Sequence, residues 1–320
     1  MAILKLKPEG KEYLWGGTRL LSEFGKEFDG EILAETWELS VHPDGPSRIA
    51  NGSYAGKTLT DYLDAKGKAA WGTNASHFEE FPILIKFIDA KQDLSVQVHP
   101  DNDYALKYEH QYGKTEMWYI VDCDDDATIY YGVKTAVTKE EFDRRIADNT
   151  LLEILNKVPV KPGDAFFIEA GTIHAIGAGA LIAEIQQNSN VTYRVYDFGR
   201  MGPDGKPREL HVDKALEVSN FAPTDKRIAH PHNIATCEYF TVDKLNLDGR
   251  YVRRVTGVVT EESFLSVLVL DGSGLIENGM EELAYKKGDS FFLPAGSGTY
   301  ELTGMGEFLL TYIDDKETFI

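Results

Sequence analysis

The sequence predicts a mainly β chain built as two related β domains, with a few short helices inserted in the first. Three observations carry this. Short apolar runs punctuated by glycine dominate the 320 residues. Helical periodicity is confined to a few stretches in the first half. A long internal repeat links the two halves: KPGDAFFIEAGTIH from Lys161 and KKGDSFFLPAGSGT from Lys286 agree at seven of fourteen positions. A period of that length is not a solenoid's, so it marks two copies of one β unit.

The elements follow in order. TLTDYLDAKGKAAW, inside Tyr54 to Gly72, is amphipathic and reads as a helix capped by Thr58 or Thr60. FPILIKFIDA reads as a strand, and SVQVH continues as a second one broken by Pro100. DNDYALKYEH opens on Asp101 as a short helix. MWYIVDC and ATIYYGV are strands. TKEEFDRRIADNTLLEILNKV, from Thr138, is the longest helical stretch; Thr138 and Glu141 form a capping box, and Phe142, Ile146, Leu151, Leu152 and Leu155 form an imperfect stripe. DAFFIEA, ALIAEIQQ, SFLSVLVL and EFLLTYI complete the strands. The Pro-rich, polar segment FAPTDKRIAHPHN, Phe221 to Asn233, carries the boundary. The expected division is a first domain over 1–222, a linker over 223–235 and a C-terminal β domain over 236–320.

A formal charge of −19 argues against nucleic acid or an anionic membrane as a partner of the general surface. The sequence has no run of about 20 apolar residues, and MAILKLKPEG lacks an apolar leader core, so a soluble, cytoplasmic protein is expected. Cys123 and Cys237 are expected as small buried hydrophobes.

Gln97 and His99 lie two apart on a strand and so share a face, with Val96 and Val98 on the other. Ser95 shares the polar face. Three polar groups aimed together within a β segment point to a pocket lining. The repeat adds a second clue. The shared G-D-x-F-F and A-G positions serve the fold, whereas His174 in the first copy aligns with Thr299 in the second. The unshared histidine is therefore a candidate for chemistry in the first copy only. With Glu116 at the head of MWYIVDC, the set offers two imidazoles, one carboxylate and an amide oxygen. That donor set suits zinc and equally iron(II). His42, His77, His110 and His211 read as surface or hydrogen-bonded core residues, and the His230–His232 pair sits in the linker without a carboxylate pattern.

The stretch from Gly163 to His174 resembles the second motif of cupin β-barrels, and QVH with Glu116 resembles a stretched first motif. More narrowly, LIKFIDAKQDLSVQVHPDN, GKTEMWYI, AGTIHAIG, EIQQNSNVTYRVYDFGR, YLWGGTRL and AETWELS resemble those of type I phosphomannose isomerases of the short bacterial form. The resemblance is specific over residues 3 to 215 and looser beyond. It implies two jelly-roll, cupin-like barrels and one zinc per chain, held by His99, Glu116 and His174, with Gln97 matching a further ligand of longer relatives. It implies Arg194 as the active-site arginine and interconversion of mannose 6-phosphate and fructose 6-phosphate through an enediol(ate). Two departures matter. The helical insertion of the larger enzymes is absent, so phosphate contacts carried there do not transfer. The second copy keeps Pro294 but lacks the histidine, which supports one metal site.

A phosphorylated hexose needs cationic partners. Lys86, alternating with apolar residues in LIKFIDA, and Lys114, two before Glu116, are candidates for the pocket. Ser95 is a candidate hydrogen-bond donor to substrate, and Glu184 or Lys114 a candidate general base. Two other functions fit the donor set: an iron(II) cupin dioxygenase and a non-catalytic, sugar-binding double cupin. The sequence leaves the oligomeric state open.

Overall fold

The computed structural model describes residues 3–202, 205–224 and 232–315; most of the expected linker, His230 included, lies outside them. The chain is mainly β, as expected. Its residues cluster into two compact units that do not follow the expected boundary. One comprises the described residues of 1–11, 18–87 and 229–320, the other those of 12–17 and 88–228. The physical reason lies at the amino terminus. The strand Leu4–Lys7 pairs with Ser290–Leu293, placing Leu4 opposite Phe292 and Leu6 opposite Ser290, so the chain's first strand folds with its last domain.

The unit of 88–228 contains a five-stranded antiparallel sheet. Its order is Tyr193–Tyr196, Val96–Val98, His174–Ile176, Thr128–Val133, Leu155–Pro159. Alternation separates its two faces. Val96, Val98, Ala175, Tyr193 and Val195 form one buried apolar face, packed with Phe142 of the helix Lys139–Ala147 and Ala215 of the helix Val212–Val218. The opposite face carries a polar row in direct cross-strand register: Tyr131, His174, Gln97 and Arg194. A second ladder, Ala165–Ile168 with Glu116–Cys123 and Ala180–Gln187, turns Glu116, Trp118, Glu184 and Gln186 to one side, since Trp118 pairs with Glu184 and Glu116 with Gln186. The two polar faces meet: the Trp118 ring stands edge-on to His174, and Tyr131 donates to the Phe167 carbonyl.

Three helix caps agree with the sequence. The Thr58 hydroxyl accepts from the Asp61 N–H while the Thr58 N–H donates to the Asp61 carboxylate, which selects Thr58 over Thr60. Asp101 caps Asn102–Tyr108, and the Thr138 hydroxyl caps Lys139–Ala147 by accepting from the Glu141 N–H, one half of the expected capping box. The long helix expected from Thr138 stops early. Asn149 adopts φ 57° and ends it at Ala147, a 3₁₀ turn spans Leu151–Glu153, and Leu155–Pro159 is a strand. The apolar residues read as the continuation of a helical stripe are the core-facing residues of these later elements.

In the other unit, Glu35–Leu39 pairs with Glu9–Lys11. A large sheet is built on the antiparallel pair Leu265–Asn278 and Gly298–Tyr312, flanked by Thr241–Leu247, Arg254–Val259, Glu281–Lys286 and Ser290–Leu293. Its core includes Val267, Val269, Phe291, Tyr300 and Phe308. Cys123 and Cys237 are half-buried rather than fully buried. Among the described residues no helix is long and apolar enough to cross a membrane.

Candidate metal centre

Two close backbone approaches assemble the site. The Gly171 N–H donates to the His99 carbonyl at 2.8 Å, and Gly171 has φ 86°, a conformation glycine adopts without cost. A Cβ there would lie 2.8 Å from the Val218 carbonyl oxygen. This turn delivers His174 beside His99. On the other side, Gly113 packs so tightly that a Cβ would lie 2.4 Å from the Asp101 carbonyl carbon, and the Lys114 N–H donates to the Pro100 carbonyl at 3.0 Å. That contact delivers Lys114 and Glu116.

The result is a buried cluster. The Nε2 atoms of His99 and His174 lie 3.1 Å apart. Glu116 Oε1 is 3.3 Å from His174 Nε2, and Glu116 Oε2 is 3.7 Å from His99 Nε2. One ligand atom from each of the three residues lies within 4.8 Å of the others, and all three residues are buried.

Each imidazole has its tautomer set from behind. His99 Nδ1 donates to the Val191 carbonyl and His174 Nδ1 to the Thr172 carbonyl, both at 2.8 Å. A backbone carbonyl only accepts, so the proton sits on Nδ1 and Nε2 presents a lone pair. Two such lone pairs and a carboxylate facing one another form a site of acceptors that a cation satisfies. This is the outer-shell arrangement that orients metal-bound histidines. Burial lowers the His174 pKa to about 4, and the Lys114 charge adds to the effect against the Thr172 carbonyl, so the ring is neutral at neutral pH.

Lys114 supplies positive charge from the side. Its ammonium donates to Glu116 Oε2, lies 3.3 Å from His99 Nε2 and stands 3.7 Å from Glu184 Oε1. Glu184 Oε2 accepts from the Trp118 indole N–H at 2.8 Å. Gln97 is flanked in register by His174 and Arg194. Arg194 Nη1 donates to the Glu209 carbonyl at 3.0 Å, and its Nε is buried with no hydrogen-bond partner among the described residues. Burial lowers the Arg194 pKa, with the Arg208 charge adding to it.

The structure thus brings together His99, Glu116, His174, Lys114 and Glu184, and sets Gln97 and Arg194 alongside His174. Ser95 is buried at the head of the Val96–Val98 strand. Lys86 belongs to the other unit, where its ammonium lies 3.7 Å from Glu35 Oε2 and 5.2 Å from the Trp37 ring centroid. Sequence reasoning missed Arg200 and Arg208. Arg208 grips Asp197 through Nε at 2.7 Å and Nη2 at 2.5 Å, and Arg200 donates to the Asp93 carbonyl and approaches Asp197 at 3.5 Å. Three arginines within fifteen residues were the available signal.

The chain resembles known proteins along nearly its whole length. Residues 3–124 match the phosphomannose isomerase type I catalytic domain, and residues 232–313 match the mannose-6-phosphate isomerase cupin domain. The chain is 39% identical to the mannose-6-phosphate isomerase ManA of Bacillus subtilis, over 97% of this chain and 98% of that one. It is 38% identical to a mannose-6-phosphate isomerase of Streptococcus mutans, over 98% of each. Its fold superposes on the crystal structure of the mannose 6-phosphate isomerase from Bacillus subtilis with a TM-score of 0.90 at 37% identity, covering 98% of this chain and 100% of the other.

Proposed function

Because the chain belongs to the type I phosphomannose isomerase family, we propose that it interconverts mannose 6-phosphate and fructose 6-phosphate with one zinc ion per chain. The observation that carries the reading is the convergence of two Nε2 lone pairs and a buried carboxylate, each imidazole fixed by a backbone carbonyl. His99, Glu116 and His174 would hold the ion, with the Gln97 amide oxygen as a further donor; two imidazoles and a carboxylate are a zinc-binding set. Bound there, zinc would supply redox-inert Lewis acidity toward the sugar's carbonyl and hydroxyl oxygens.

The chain's own groups account for the remaining chemistry. The hard step is loss of a proton from C2, next to the C1 carbonyl, which leaves an enediol(ate) with negative charge on oxygen. Lys114 and Glu184, facing each other at 3.7 Å, form the pair through which that proton leaves C2 and returns at C1. Arg194 stays charged and answers the developing oxyanion or orients the sugar. Arg194, Arg200 and Arg208 gather near Asp197, with Glu209 and Asp93 also in electrostatic reach, and their guanidinium forks are the groups of this segment suited to a phosphate. Burial excludes water from the three ligands, which strengthens every charge interaction among them.

The test is to mix mannose 6-phosphate with the zinc-loaded protein in deuterated water and follow product and label by NMR. Fructose 6-phosphate carrying deuterium at C1, or returned mannose 6-phosphate labelled at C2, is expected. Tight binding of the sugar with neither product nor label would overturn the proposal in favour of a non-catalytic binder, and oxygen uptake on iron(II) loading would favour the dioxygenase.

A further inference from the structure

The buried network has one member that the proposed chemistry does not use. Trp118 lies at the centre of the strand Glu116–Cys123 and is fully buried. Its cross-strand partners are Phe166 on one side and Glu184 on the other. Packing alone would accept another phenylalanine here, as at Phe166. What tryptophan adds is an N–H, and that N–H is spent on Glu184 Oε2 at 2.8 Å. The same ring stands at 82° to His174, with centroids 5.3 Å apart.

We propose that Trp118 is a positioning residue: its indole N–H holds one oxygen of Glu184 so that the other stays turned to Lys114. The inference rests on the reading of Lys114 and Glu184 as the proton-transfer pair. A glutamate has three side-chain torsions, and the 2.8 Å bond from the Trp118 N–H fixes the place of one of its oxygens. That bond comes from the neighbouring strand of the same ladder, so the constraint is rigid. Held this way, Glu184 Oε1 fixes one side of the Lys114 ammonium, while Glu116 and His99 fix the other. Trp118 touches no reacting atom and acts through Glu184.

The experiment replaces Trp118 by phenylalanine and, as a shape-preserving control, by benzothienylalanine, in which sulfur takes the place of the N–H. Both are expected to lower kcat about tenfold, with the KM for mannose 6-phosphate within twofold and zinc content unchanged. In a Glu184→Ala background, where no carboxylate remains to be held, Trp118→Phe is expected to change kcat less than twofold. A crystal structure of zinc-loaded Trp118→Phe should show the Glu184 carboxylate turned away from Lys114. That readout does not depend on turnover, so it separates failure of this inference from failure of the proposed reaction. An unmoved carboxylate, an unchanged kcat with benzothienylalanine, or an equal loss in the Glu184→Ala background would overturn the proposal. Loss of zinc in step with activity would also overturn it, by placing the effect on His174.

Discussion

His99 and His174, 75 residues apart in the chain, face each other Nε2 to Nε2 at 3.1 Å, each with its other ring nitrogen bonded to a backbone carbonyl. With both Nδ1 protons spent on carbonyls, neither Nε2 donates to the other, and the two lone pairs and Glu116 face one another as a set that a shared metal ion would satisfy. His99→Ala and His174→Ala are therefore each expected to lose zinc and to reduce turnover at least about 10³-fold, while the far-UV circular dichroism stays that of the parent. Stoichiometric zinc retained in both variants, measured by elemental analysis, would remove the cluster as the metal centre.

Removing the metal exposes a pH dependence. In the folded chain burial depresses the His174 pKa from 6.5 to about 4. Between those values the unfolded chain binds a proton that the folded chain does not, so stability falls as the pH drops from about 6.5 to about 4. The full shift corresponds to about 3 kcal/mol. Urea denaturation of the metal-free protein across this window should show the loss, and His174→Gln should flatten it. An equal slope in both proteins would refute the assignment.

Arg194 lies beside the cluster rather than in it, two strands from His174 in the register His174, Gln97, Arg194. Arg194→Ala is expected to keep zinc and lower kcat by about 10² to 10³-fold, the usual cost of losing a donor to a developing oxyanion. Arg194→Lys should recover little, because a lysine does not reproduce the planar fork. Near-normal turnover in Arg194→Ala would take it out of the site.

Much of this was legible because chemistry and fold broke the pattern in the same places. Alternation in SVQVH put Gln97 and His99 on a polar face, and the structure covers the Val96–Val98 face with helices. The repeat isolated His174 because its aligned residue is Thr299. Other features depended on contacts between distant segments that periodicity does not encode. The pairing of Leu4–Lys7 with Ser290–Leu293 moved the amino terminus into the other unit. Asn149 ended a helix whose apolar stripe continued into a strand. MWYIVDC reads only as a strand, and the Trp118 N–H on Glu184 is a cross-strand contact that no periodicity encodes. Arg200 and Arg208 meet at Asp197 through contacts that spacing alone does not predict.

The unit that includes 18–87 holds a second buried charge pair, to which no proposed chemistry is assigned. Lys26 Nζ lies 2.5 Å from Glu38 Oε1 and donates to the Gly288 carbonyl at 2.5 Å. Burial pushes the Glu38 carboxyl up, and Lys26 opposes that rise. Lys26→Ala leaves a buried carboxylate without its cation and is expected to cost about 3 to 5 kcal/mol. With Lys26 gone the folded-state pKa of Glu38 rises further above its unfolded value of 4.5, so the stability loss should deepen as the pH rises above 4.5. The double change Lys26→Met, Glu38→Leu should recover most of the loss. Equal destabilisation in the single and double variants would contradict a charge-burial origin.

The second copy of the repeat tests whether the histidine alone makes the metal centre. Thr299 is exposed on the strand Gly298–Tyr312 and pairs with Val258, which is also exposed, while its neighbour Tyr300 points into the core. The carboxylate two residues on, Glu301, already lies 3.1 Å from Arg254 Nε. A histidine placed at 299 would meet solvent, with neither a facing imidazole nor a buried carboxylate supplied by neighbouring strands, as His99 and Glu116 are for His174. Thr299→His is therefore expected to bind one zinc per chain, like the parent, with unchanged turnover. Two ions per chain by elemental analysis would show that the turn itself, and not the convergence of three segments, makes the site.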